Sequence, residues 1–302
     1  MKRTQLAIIA LALSACFLGS CKANSTKAKD ANETSDTLSA TEAKEAATPD
    51  TLEVKTDSCT LKEGKNMDAT IRIDYPTGTD ELAINVRKIL NQKMAENYLG
   101  TTDEGGAKKY KAYSGDLSNG NAVIQKYAKD NFNCLKEQLA EIKKYDPRAN
   151  VSMSYELNLT KKAETQNYIT YNCFSYTYLG GAHGSSFDQS FNIVKATGKL
   201  LTKTVDTTQV KKLQPILRKG VLSYLNEYQE EPITEKNLND YLFIENGIIP
   251  LPAKTPCLTQ DGVRFTYQQY EIGPYAMGIV EFTVPYSAIK PYLTQEVLQL
   301  LK

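Results

Sequence analysis

The chain has 302 residues, 36 Lys+Arg against 35 Asp+Glu, and 41% hydrophobic residues, enough for one large or two modest domains with a real core. A formal charge of +1 without a basic stripe gives no field for a polyanion, so no nucleic-acid partner is expected. With a single histidine, centres built from paired imidazoles are excluded, and neither a metal nor another cofactor is expected.

Lys2 and Arg3 precede an apolar run, Leu6 to Leu18, which has the n- and h-regions of a secretory signal. The run is too short to span a bilayer, for which about 20 residues are needed. Residues 1–20 are therefore expected to be an export signal. It ends in Leu18-Gly19-Ser20-Cys21, which resembles the bacterial lipobox, where the cysteine is acylated and becomes the new N-terminus. An ordinary signal with a chance cysteine is the alternative. Acyl chains such as palmitate on Cys21 anchor through about 0.8 kcal/mol per buried methylene, and a second chain makes the attachment stable. Lys22, rather than Asp, follows the cysteine, which favours the outer membrane. Residues 21–55 are expected to be a disordered tether. From Lys22 to Asp50 only Leu38 is large and apolar, so burial cannot offset ordering. Such a coil has a reach of roughly 30 to 35 Å.

Next, Met67, Ala69, Ile71, Ile73 and Tyr75 alternate as a half-buried strand closed by Pro76. A helix is predicted from a Thr79 cap through Leu82, Val86, Ile89 and Leu90, with Gly100 as its stop. Residues 101–120 read as loop, and Asn121 to Tyr145 as a second helix striped by Ile124, Ala128, Leu135, Leu139 and Ile142. The period then becomes two, from Val151 to Leu159, followed by a polar turn from Lys161 to Gln166. Further strands are predicted at Asn167–Tyr178, Ser186–Val194, Gly262–Gln268 and Ile279–Val284. Helices are predicted at Gln209–Tyr228, Glu235–Tyr241 and Ser287–Leu301. The fold class is α+β: mainly antiparallel sheets packed against helices, in two closely associated subdomains, 56–165 and 166–302.

Cys59, Cys134, Cys173 and Cys257 follow the signal. An even number in an exported chain allows two disulfides in any of three connectivities, and four buried thiols serve equally well.

Two segments stand out. The first, Tyr176-Thr177-Tyr178-Leu179-Gly180-Gly181-Ala182-His183-Gly184, places three glycines around the sole histidine, which implies special backbone angles or close approaches. The second runs from Phe265 to Gly278, where Tyr267, Tyr270, Glu271 and Tyr275 surround a Gly273-Pro274 bend. In this order, with the Thr197-Gly198-Lys199 turn and Pro285-Tyr286, they resemble the RsiV-like C-terminal domain (domain of unknown function 3298) over Asn167 to Lys290. The preceding part resembles the domain that accompanies it in RsiV- and PdaC-type proteins. The resemblance implies an α+β head facing the envelope and meeting lysozyme or wall glycan. Gly273 stands where the family has Ala, and Lys203-Thr204-Val205-Asp206 where it has an acidic-Leu-Phe element. An acyl chain alone carries no signal inward, so the family's anti-sigma role is not transferred.

The leading expectation is a non-catalytic, lipid-anchored envelope module. It would bind a lysozyme-like protein or peptidoglycan through Tyr178, Gly180, Gly181, His183, Gly184, Tyr267, Tyr270, Glu271 and Tyr275. One alternative is a hydrolase with His183 as base for Ser185 or Ser186 and Asp188 or Glu271 as the orienting carboxylate, although Gly-x-Ser-x-Gly is absent. Another is a structural envelope lipoprotein.

Overall fold

A computed structural model describes residues 51–101, 111–227 and 231–302, which fall in one compact unit. The export signal, Cys21 and the tether up to residue 50 lie outside the described residues. The elements in order are β1 (Val54–Glu63), β2 (Met67–Pro76), α1 (Glu81–Glu96), α2 (Gly120–Tyr145), β3 (Met153–Glu164), β4 (Tyr168–Tyr178), β5 (Ser185–Val194) and β6 (Lys199–Leu200). There follow α3 (Val210–Leu225), β7 (Cys257–Leu258), β8 (Gly262–Tyr267), β9 (Val280–Pro285), α4 (Tyr286–Ile289) and α5 (Gln295–Leu300).

Strands β1 to β6 form one sheet in sequence order, and β7 to β9 a second. Every pairing is antiparallel except β2 with β3, which run parallel because the chain crosses over through α1 and α2 between them. The α+β class with two associated subdomains is therefore the observed architecture.

Alternation decides which face of the large sheet is covered. Ala69, Ile71 and Ile73 of β2 and Tyr155, Leu157 and Leu159 of β3 point the same way, onto Val86, Leu90 and Met94 of α1 and Ile124 and Leu135 of α2. In a second cluster, Leu213, Leu217 and Val221 of α3 pack with Val263, Phe265 and Tyr267 of β8 and Val280 and Val284 of β9. The ends of β4 and β5 serve both clusters: Ile169 and Ile193 face the first, Tyr168 and Val194 the second. That explains the unbroken burial from Tyr168 to Cys173. The boundary expected at 165/166 falls in the β3–β4 turn, inside one sheet, whereas the clusters part mainly between β5 and Leu201.

Several expectations are corrected. Strand β1 was not anticipated: as an edge strand rich in charge it shows only weak alternation. Because Leu52 is buried and β1 begins at Val54, ordered chain starts inside the expected tether. Helix α1 is capped by Asp80, whose carboxylate accepts from Ala83 N–H at 2.9 Å, and not by Thr79. The Glu235–Tyr241 helix is only a 3-10 turn at Leu238–Tyr241, where Asn237 takes the Thr234 N–H. The single C-terminal helix is split into α4 and α5: a 3-10 turn, Lys290–Tyr292, accommodates Pro291 in its first turn. Leu293 and Thr294 then run extended, where Leu293 bridges Val205 and Thr294 N–H bonds the Thr204 carbonyl, and Thr294 caps a new start. The four cysteines are unbridged, and burial pushes the Cys173 and Cys257 thiols up to about 12.

Candidate binding site at an aromatic corner

The loop between β4 and β5 and the bend after β8 meet. Gly180 has φ +83°, and a Cβ there would collide with Val151; a Cβ on Gly184 would strike the Tyr176 ring. Gly181 needs neither concession, contrary to expectation: the space around it is open and its backbone is ordinary. Tyr178 braces the loop by donating its hydroxyl to the Gly181 carbonyl at 3.0 Å.

The Gly184 carbonyl joins the two segments. It accepts the Tyr275 hydroxyl at 2.7 Å and the His183 Nδ1–H at 3.0 Å. A carbonyl can only accept, so Nδ1 carries the proton and Nε2 is left facing away from this bond. The imidazole stacks on Tyr275, with centroids 3.8 Å apart and planes 23° from parallel. Tyr270 lies 5.8 Å from Tyr275 at 43°, and 60% of its surface is exposed.

Tyr270 holds a left-handed backbone, φ +66°, which costs a non-glycine residue on the order of 1 kcal/mol. Glu271 holds the turn that imposes it. Its carboxylate accepts Gln268 N–H at 2.7 Å and Ala253 N–H at 2.6 Å, while Glu271 N–H donates to the Gln268 carbonyl. Glu271 is therefore a positioning residue whose oxygens are already engaged. Tyr267, expected in the site, is instead sealed in the second core and donates its hydroxyl to the Pro250 carbonyl at 2.8 Å. It continues the inward series Val263, Phe265.

Two residues that the sequence reading passed over hold the corner together. Gln268 accepts the Asp188 N–H at 3.1 Å and donates to the Asp188 carbonyl at 2.6 Å, and Gln269 accepts the Ser186 N–H at 3.0 Å. Their carboxamides stand in for a neighbouring strand on the free edge of β5. Asn192 does the same for Leu258, accepting its N–H at 2.7 Å and donating to its carbonyl at 3.0 Å.

The hydrolase constellation does not assemble. Among the described residues no hydrogen bond links His183 to Ser185, Ser186, Asp188 or Glu271. Burial raises the Asp188 carboxyl above its ordinary range, and Asn172, bonded at 2.5 Å, opposes the rise.

Residues 62–186 match the family model described as Deacetylase PdaC, and residues 201–287 the model described as a protein of unknown function, DUF3298. The His183 loop thus lies at the end of the first matched region and the aromatic bend inside the second, whereas the resemblance had placed both in the C-terminal part. A crystal structure of a DUF3298 family member from Bacteroides fragilis shares the fold, with TM-score 0.59 and 20% identity over 82% of this chain and 98% of that one. Another, from Pseudomonas aeruginosa, gives TM-score 0.49 and 14% identity over 82% and 97%. No curated protein matches the chain.

Proposed function

From a chain that joins a PdaC-like region to a DUF3298 region, an architecture of envelope-associated proteins, we propose a lipid-anchored envelope binding module that recognises peptidoglycan glycan without cleaving it. One observation carries the reading: an imidazole and two tyrosines, drawn from both regions, form an open shelf at one corner. Sugar rings present C–H faces that lie on aromatic rings, and tyrosine supplies that area at low entropic cost. His183 Nε2 adds a directional polar contact for a hydroxyl or amide.

A lysozyme-like protein partner is the second reading. Tyr241 and Phe243, 45% and 63% exposed, continue the aromatic surface, and Phe243 N–H bonds the Ile272 carbonyl beside the bend. Exposed aromatic clusters of this kind anchor protein interfaces.

Co-sedimentation with peptidoglycan sacculi separates the two. On the glycan reading the purified chain pellets with sacculi, and Tyr270→Ala reduces the bound fraction about tenfold. Capture by immobilised lysozyme with no sacculus binding would establish the second reading and overturn the first. The anchoring to the outer membrane through Cys21 is tested by feeding cells a palmitate analogue: the wild-type chain takes the label and Cys21→Ser does not. A wild-type chain without label contradicts it.

A further inference from the structure

We infer that a small cleft beside the aromatic corner is a second binding site, for a sugar acid of monosaccharide size. The cleft, about 250 Å³, lies on the helix-covered side of the large sheet, between the C-terminal end of α1 and the β4–β5 hairpin. Elsewhere that face is apolar, as at Tyr171, Phe191 and Ile193. Towards the hairpin tip the inward register turns polar: Ser175, Thr177, Ser185 and Gln189 take positions that alternation reserves for hydrophobes.

Gln189 is the telling residue. It is only 8% exposed, and among the described residues its carboxamide has no hydrogen-bond partner. None of its polar atoms is fully sealed, so the amide faces the cleft. The amide is thus withdrawn from the open surface yet keeps its polar atoms turned to the cleft, where a ligand hydroxyl can replace water.

The remaining groups define the ligand. Glu96 is already paired with Lys93 at 2.9 Å, and Asn97 accepts the Ser175 hydroxyl at 3.3 Å. Thr177, Ser185 and Gln189 offer neutral hydrogen bonds for hydroxyls. At the rim, Lys254 lies 5.6 Å from the centroid of the Phe187 ring and has no ion pair among the described residues. Neutral walls and one unpaired ammonium suit a compact polyol bearing one carboxylate. The volume admits one ring and excludes a chain. Ser185 follows Gly184, and Lys254 follows Ala253, which Glu271 holds, so the cleft opens next to the shelf.

Taking muramic acid as the relevant sugar acid rests on the wall-glycan reading; the cleft chemistry does not. The test is an amide-resolved titration of the full chain with N-acetylmuramic acid, with N-acetylglucosamine as the probe lacking the carboxylate. The acid should bind at least about tenfold more tightly, with shifts centred on Ser185 and Gln189. Lys254→Ala, at an exposed position, should abolish the preference, and Gln189→Leu should weaken both sugars about tenfold. No shift at these residues up to about 50 mM of either sugar, or equal affinity for the two, overturns the inference. If sacculus binding fails while the acid still shifts Gln189, the module reading falls and the cleft stands. If sacculi bind and neither sugar reaches Gln189, the cleft falls and the module reading stands.

Discussion

Tyr275→Ala is expected to weaken glycan binding about 100-fold while the chain stays folded. The ring is the platform on which His183 stacks at 3.8 Å, and its hydroxyl holds the Gly184 carbonyl at 2.7 Å. Removing it deletes one sugar-facing ring, frees the imidazole to rotate and leaves the carbonyl with one partner instead of two. Stacked aromatic pairs contribute about 0.5–1.5 kcal/mol beyond area burial, and the rest of the loss comes from disordering the shelf. Tyr275→Phe keeps the ring and loses only the hydroxyl bond, so a drop of about fivefold is expected. Equal affinity for Tyr275→Ala and wild type, measured with soluble glycan fragments, would place the binding surface elsewhere.

The second large effect lies far from the corner. Glu164→Ala is expected to cost about 3 kcal/mol of stability at pH 7, read from urea unfolding. The Glu164 carboxylate accepts from Lys161 and Lys195 at 2.5 and 2.7 Å, and all three side chains are no more than 16% exposed. It also takes the Leu52 N–H at 3.0 Å, while Lys161 donates to the Leu52 carbonyl, so the start of the folded head is tied to β3 through this group. Truncating Glu164 leaves two buried ammonium groups without their shared anion. Burial pushes the Glu164 carboxyl upward, but the bonds from Lys161, Lys195 and Leu52 outweigh it and hold it below the ordinary range. A carboxylate lowered on folding adds stability that is fully present above its unfolded value, about 4.3, and is lost as pH falls through the folded value. The gap between wild type and Glu164→Ala should therefore be widest near neutrality and narrow below about pH 4. A gap independent of pH would assign the loss to packing and not to charge.

Much of the fold was legible because burial imposes a period. The alternation of β2 and the stripe of α2 each had one covered face, and both were placed nearly to their ends. Strand β1 was hidden because an edge carries charge on purpose, and the tether estimate ran past it. The break in the last helix was hidden, because the apolar spacing argued for continuity and the extended Leu293–Thr294 step is held by distant partners, Val205 and Thr204. At the corner, composition pointed to both halves but could not rank the tyrosines. Alternation could have done so, since Tyr267 continues the inward series of β8 and Tyr270 lies beyond it. The Gln268 and Gln269 contacts with β5 span about 80 residues and no local pattern encodes them. The polar residues at inward positions of β4 and β5 were a readable breach of period two, and they mark the cleft.

The sole histidine makes the most direct test simple, because the chain has only one imidazole. Its ring signals, followed by heteronuclear NMR while soluble peptidoglycan fragments are added, report on the shelf alone. The account predicts saturable shifts of the His183 ring carbons and Nε2 that follow the binding curve and need about tenfold more fragment in Tyr270→Ala. Binding of the fragments with an unmoved imidazole spectrum, or no binding at all, would contradict it.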